Sequence, residues 1–165
     1  MTGNQTALGQ YAVSLEKRIL NVTAQALNLW KCNLMSNEYA TADGLLLDHD
    51  ERNAALGEAK SRFDIDEQLL RERYKFKLLT DAAGIDHLAT LSKLLRIPAY
   101  IANYIALSNV IFVVKIADDE GKVLHKCKPF WRWKRKQNGS DEWVEELSVE
   151  FPMVGAIAIP FNAEP

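Results

Sequence analysis

The sequence predicts an α+β protein: an N-terminal helical layer packed on a C-terminal antiparallel β-meander of three or four strands. Three observations lead there. Apolar residues recur at helical spacing from Leu8 to Asn33, the chain turns β-branched and apolar after Asn109, and compact turn signals cut the remainder into strand-sized pieces. One domain is expected over 1–165, helical over 1–109 and sheet over 110–161, because this length suffices to bury a continuous core.

Taken in order, Leu8, Ala12, Leu15, Ile19, Val22, Ala26 and Leu29 alternate steps of four and three, which is the seam of a long helix. Val13, Leu20, Leu27, Trp30 and Leu34 add a second stripe, so the helix is expected to pack on more than one neighbour within the chain. A dimer through the helix at 8–33 is the alternative use of that seam. SNEYATADG at 36–44 reads as a break, followed by a shorter helix over 49–61. Asp64 and Glu67 have capping-box spacing for a helix at 65–82 that closes at Gly84. A helical pair is expected at 86–95 and 98–108, with Pro98 in the first turn of its second member.

Beyond Asn109, VIFVVKIA, VLHKCKPFWRWKR and WVEELSVEF read as strands, separated by DDEG and KQNGSD turns. VGAIAIPF adds a fourth strand, with Pro152 and Pro160 at its ends, where a missing N–H does least harm.

Composition narrows the classes of function. A hydrophobic fraction of 48% and a charged fraction of 25% argue against disorder, and the apolar runs are strand-sized, too short to span a bilayer. The opening MTGNQTALGQYAVSLEKR lacks a cationic segment followed by an apolar one, so it is not read as a secretory signal, and a cytoplasmic location is expected. Net charge −2 gives no global attraction to phosphate backbones, so nucleic-acid binding would need a local patch. Cys32 and Cys127 lack metal or redox spacing and read as buried free thiols.

Two constellations bear on chemistry. Asp48, His49, Asp50 and Glu51 could serve a cation or acid–base work, but consecutive helical residues diverge, and a helix cap explains the run more simply. A site assembled from Asp48, His49, Asp50 and His87 would require their convergence in the fold. No phosphate-cradling glycine loop or nucleophile elbow is present, and neither a catalytic residue, a metal ligand nor a cofactor is expected.

Residues 86–108 resemble a helix-turn-helix in their apolar positions Leu91, Leu95, Ile97 and Ile105, with Ser92 at the crossing. That resemblance implies DNA binding, with Lys93, Arg96, Asn103 and Lys122 as contacts and the following strands as a possible wing. The would-be recognition helix is nevertheless apolar on every side, which favours burial.

The densest signal is KCKPFWRWKRK at 126–136, with six cations and three aromatics. Strand parity separates His125, Cys127, Trp131 and Trp133 from Lys126, Lys128, Phe130, Arg132, Lys134 and Lys136. A hairpin loop at Asn138-Gly139-Ser140 sets Trp131 opposite Leu147, Lys136 opposite Glu142, Arg132 opposite Glu146 and Lys128 opposite Glu150. The expected sheet therefore turns its tryptophans inward and shows a mixed-charge ladder outward. Phe130, opposite Ser148, and Lys134, opposite Val144, then lack an acidic partner.

The functional expectation is a non-enzymatic interaction protein, a small accessory, inhibitor or adaptor. It would bind a macromolecular partner, a protein first, through Phe130, Arg132, Lys134, Tyr100 and Tyr104. DNA binding through 86–108 is the alternative, and no membrane partner is expected.

Overall fold

A computed structural model describes residues 7–35, 42–136 and 141–164. The Leu8 side chain, most of the break expected at 36–44 and the loop Asn138-Gly139-Ser140 lie outside the described part. The fold combines helices with two sheets, and the N-terminal helix α1 (Ala7–Ala26) leads directly into strands. The larger sheet orders β1 (Lys31–Leu34), β2 (Gly44–Leu47), β3 (Asn53–Arg62), β5 (Ala99–Ile105), β6 (Val110–Ala117) and β9 (Ile157–Pro160). It is antiparallel except for the β3–β5 pair, which is parallel. The crossover between those two strands carries α2 (Glu67–Glu72), β4 (Lys77–Asp81) and α3 (Ala82–Leu95). A second, antiparallel sheet orders β4, β8 (Trp143–Pro152) and β7 (Phe130–Arg135). The expected helical layer on a simple C-terminal meander is thus replaced by a larger, mixed sheet that begins at Lys31.

Local chemistry explains where the helical periodicity misleads. The seam continues past Ala26, but Asn28 turns left-handed at φ 61, and Leu29 N–H donates to the Ala24 carbonyl at 2.8 Å. This Schellman closure ends α1, so Leu29 and Leu34 lie off the helix. The expected helix at 49–61 is β3. Asp48 Oδ1 accepts from the N–H groups of Asp50 and Arg52, each at 2.9 Å, and shapes the β2–β3 hairpin turn instead of capping a helix.

The expected helix at 65–82 is a six-residue α2 followed by β4; its cap is Asp66, accepting from Leu69 N–H at 2.7 Å, not Asp64. Gly84 closes nothing. It lies in the first turn of α3 and donates its N–H to the capping carboxylate of Asp81 at 2.7 Å. Arg96 ends α3 in the left-handed conformation usually given to glycine.

The segment expected as a second helix is β5, so the helix-turn-helix does not form. Ala99, Ile101, Ala102, Asn103, Tyr104 and Ile105 are all buried because both faces of the central strand are covered. An all-round apolar segment does indicate burial, but here as a strand in a sheet covered on both sides.

One face of the large sheet packs on α1 through Leu15, Ile19, Leu20, Ala24, Leu46, Ile111 and Val113. The stripe read as a possible dimer seam is thereby used within the chain. The other face packs on α3 and the small sheet through Leu56, Leu88, Ile101, Phe112, Val149 and Phe151. Gly44 and Gly57 face each other across β2 and β3 beneath α1. A Cβ on Gly57 would come within 2.9 Å of Leu20, and one on Gly44 within 2.3 Å of the Cys32 sulfur. The glycine pair therefore lets α1 lie close on the sheet.

The β7–β8 register matches expectation: Phe130 opposite Ser148, Trp131 opposite Leu147, Arg132 opposite Glu146 and Lys134 opposite Val144. The burial is inverted. Trp131 and Trp133 are 66% and 62% exposed, while the charged face is half-buried. Arg132 and Lys134 both pair with Glu146, and Lys136 pairs with Glu142. Lys134 thus has an acidic partner, diagonal to it, and Glu150 pairs with Lys77 rather than Lys128. His125 precedes the strand, exposed, with its ring edge against Phe151.

Candidate functional site

Glu58 and Lys60 are two residues apart on β3, so their side chains leave the same face of the strand. β2 begins at Gly44 opposite Gly57, and among the described residues no strand continues that pairing along Glu58–Arg62. At this notch Asp43 turns its Oδ2 onto the freed N–H of Ala59 at 2.8 Å. Around the open sheet edge, α1, which packs on the opposite face of β3, brings in Glu16, and the resulting open pocket, about 470 Å³, is walled by Tyr11, Glu16, Asp43, Glu58, Lys60, Arg62 and Phe63. Three carboxylates thus line one pocket with an ammonium and a guanidinium.

The electrostatics follow from that ratio. Lys60 Nζ lies 2.5 Å from Glu58 Oε1, with the two side chains only 28% and 12% exposed. Burial opposes the charge on Lys60, but Glu58, Asp81 and Asp43 outweigh it and hold the ammonium above its ordinary pKa. Burial raises Glu58 despite that ion pair, and raises Asp43 despite the Ala59 N–H and Lys60. Glu16 is pushed up to about 7, by burial first and then by Asp43 and Glu58, with Lys60 opposing. With all three carboxylates ionised the pocket carries one more negative charge than Lys60 and Arg62 offset, a surplus that a hard cation relieves.

Folding favours protonated Glu16, so its stabilising contribution is complete below about pH 4.5 and lost as pH rises through about 7. In Glu16→Gln that loss is expected to vanish. The variant's thermal midpoint relative to wild type should rise between about pH 5 and about pH 8. A difference independent of pH would disprove the coupling.

Among the described residues no three His, Cys, Asp or Glu groups stand close enough to hold a metal ion by themselves. Asp43 and Glu58 provide two carboxylates, the number with which Mg²⁺ is commonly held when water and phosphate oxygens complete the shell. Asp48, His49 and Asp50 belong to the β2–β3 turn, whereas His87 stands exposed on α3.

The residues singled out from sequence fall elsewhere. Tyr104 is buried at 2% exposure and Tyr100 half-buried against the α1 layer, so neither offers a broad contact surface. Phe130 is exposed, while Arg132 and Lys134 are held by Glu146. Lys93 and Arg96 line a shallow pocket with Asp119 and Glu120, and Lys122 follows that acidic turn. Asn103 is buried, donating to the Met153 sulfur at 3.6 Å, with its Oδ1 unpartnered.

Sequence reading missed Glu16, Asp43, Glu58 and Lys60. The available signal was Glu58-Ala59-Lys60: an acid and a base one residue apart share a face only on a strand, and on the expected helix they diverge.

Arg62, next along this face of β3, lines both this pocket and a second one of about 210 Å³ that also contains Tyr74, Lys77, Asn103 and Arg132. Burial, with Arg132 nearby, lowers the Arg62 pKa. The carboxylate pocket thus continues toward the root of the β7–β8 ribbon. Comparison with known protein families, curated proteins and solved structures finds no match to this chain.

Proposed function

We propose that the protein is a divalent-cation-dependent hydrolase of phosphodiester bonds, with nucleic acid as the substrate class. The observation that carries this reading is the convergence of Asp43, Glu58 and Lys60 at the point where β2 and β3 part. Asp43 and Glu58 are the residues that would hold Mg²⁺ or Mn²⁺. When bound, such a cation supplies charge neutralisation at the phosphate and a more acidic water.

The chain's own residues do the rest. Lys60, kept protonated by its acidic neighbours, is a fixed charge for the anionic oxygens of the transition state rather than a base. Glu16 titrates near neutrality and is the group on the α1 side able to accept a proton. Water adds its oxygen to phosphorus, the bond to one ester oxygen breaks, the water's proton passes to Glu16, and the departing alkoxide takes one from solvent. Tyr11 and Phe63, both more than half exposed at the rim, provide faces for bases flanking the bond.

The test is cleavage of labelled DNA and RNA, single- and double-stranded. Product is expected with Mg²⁺ or Mn²⁺, none with EDTA, and a loss of about 10²-fold or more in Asp43→Asn. Cleavage undiminished in that variant would end the proposal.

A second reading, the non-enzymatic accessory, inhibitor or adaptor that binds a protein, has one observation in its favour: the exposed aromatic face of the β7–β8 ribbon. Absence of cleavage of every substrate and cation above would favour it.

A further inference from the structure

The β7–β8 ribbon has two unlike faces. Its half-buried back binds its charges internally, Arg132 and Lys134 on Glu146 and Arg132 Nε on Ser148 Oγ at 2.7 Å. Its front carries Trp131 and Trp133 on β7 with Trp143 and Leu147 on β8, each tryptophan more than half exposed. Arg135 shares that front, its guanidinium 5.6 Å from the Trp143 ring centre and 3.6 Å from Asp141.

Exposed tryptophans concentrated on one side of a ribbon mark a binding surface. Three features indicate its occupant. The first is charge: an overall acidic chain places six cations against four carboxylates between Lys126 and Leu147, four of the cations paired with Asp141, Glu142 and Glu146. Lys126 and Lys128 make no ion pair among the described residues, and Glu145, opposite Trp133, is an acidic group on the aromatic front. The second is spacing. Residues two apart on a strand stand roughly 7 Å apart, twice the rise of about 3.4 Å per base in a duplex strand. Trp131 and Trp133 therefore suit bases that have been pulled apart. The third is proximity: Arg132, on the ribbon's back behind Trp131 and Trp133, lines one pocket with Arg62 of the carboxylate pocket.

We propose that the Trp131, Trp133 and Trp143 face is a stacking platform for single-stranded nucleic acid. It binds by aromatic faces and nearby cations, without reading base edges. Its link to strand cleavage, and the third feature, rest on the hydrolase reading above; the charge and spacing arguments for binding do not.

Binding is measured in EDTA by fluorescence anisotropy with labelled oligo-dT, oligo-U and a duplex of equal length. Wild type is expected to bind one or both single strands at least about tenfold more tightly than the duplex. Trp131→Ala/Trp133→Ala should lose about tenfold or more on the single strand, the Trp131→Phe/Trp133→Phe pair should retain most of it, and His87→Gln, on the exposed side of α3, should bind like wild type. Equal affinity for single strand and duplex would overturn the platform, as would full affinity in the alanine pair. A wild-type dimer that the alanine pair converts to monomer without changing oligonucleotide affinity would overturn it too, making the face a contact between copies. Single-strand binding with these losses, but no cleavage with any cation, supports the platform and refutes the hydrolase reading.

Discussion

Lys60→Ala is expected to slow cation-dependent cleavage by about 10²- to 10³-fold, the usual consequence of removing one preorganised charge donor. The loss should fall on the chemical step, with strand affinity in EDTA nearly unchanged, because the proposed stacking platform lies on β7 and β8 rather than β3. Lys60→Arg keeps the charge but replaces a compact ammonium by a planar fork, so partial activity is expected. Lys60→Ala leaves Glu58, only 12% exposed, without its ion-pair partner, so the thermal midpoint of the variant is measured alongside and Lys60→Arg serves as the folded control. Single-turnover rates set against binding make the comparison, and a defect confined to affinity would reassign Lys60 to substrate binding.

Phe151→Ala is expected to destabilise the fold by about 3–5 kcal/mol. Phe151 is fully buried with Leu78, Val149 and Met153 beneath α3, and its ring stands nearly perpendicular to that of His125, 5.2 Å away. Trp133→Ala, on the same face of the small sheet but on β7 and beyond the reach of α3, should change stability by no more than about 0.5 kcal/mol. Denaturant titration of the two variants is the measurement. Comparable losses would mean that the tryptophan face is packed in solution.

The same contrast explains how much could be read from the chain. The β7–β8 register was legible because parity and opposite charges are local: once Trp131 is set against Leu147, Arg132 necessarily meets Glu146. Strands β6, β8 and β9 were legible from β-branched runs and bounding turns. The failures cluster where helical composition serves a strand. NAALGEAKSR has the residues of a helix, but between β2 and β5 it gains more from pairing and covered faces than propensity costs. That single misreading hid the candidate site, because Glu58 and Lys60 converge only at a period of two.

By itself, then, the sequence determined the alternation of faces, the Arg132–Glu146 and Lys136–Glu142 pairs of the ribbon and the apolar character of Ala99–Ile105, all properties of neighbouring residues and total hydrophobicity. The tertiary structure alone decided which face became the inside. On β8, α3 covers Val149 and Phe151 but does not reach Trp143 and Leu147, which share their parity. It also decided that Glu16, Asp43, Glu58 and Lys60 meet. Their approach depends on the Gly44–Gly57 pair that lets α1 lie close and on the parting of β2 from β3, and both are set by contacts between segments far apart in the chain.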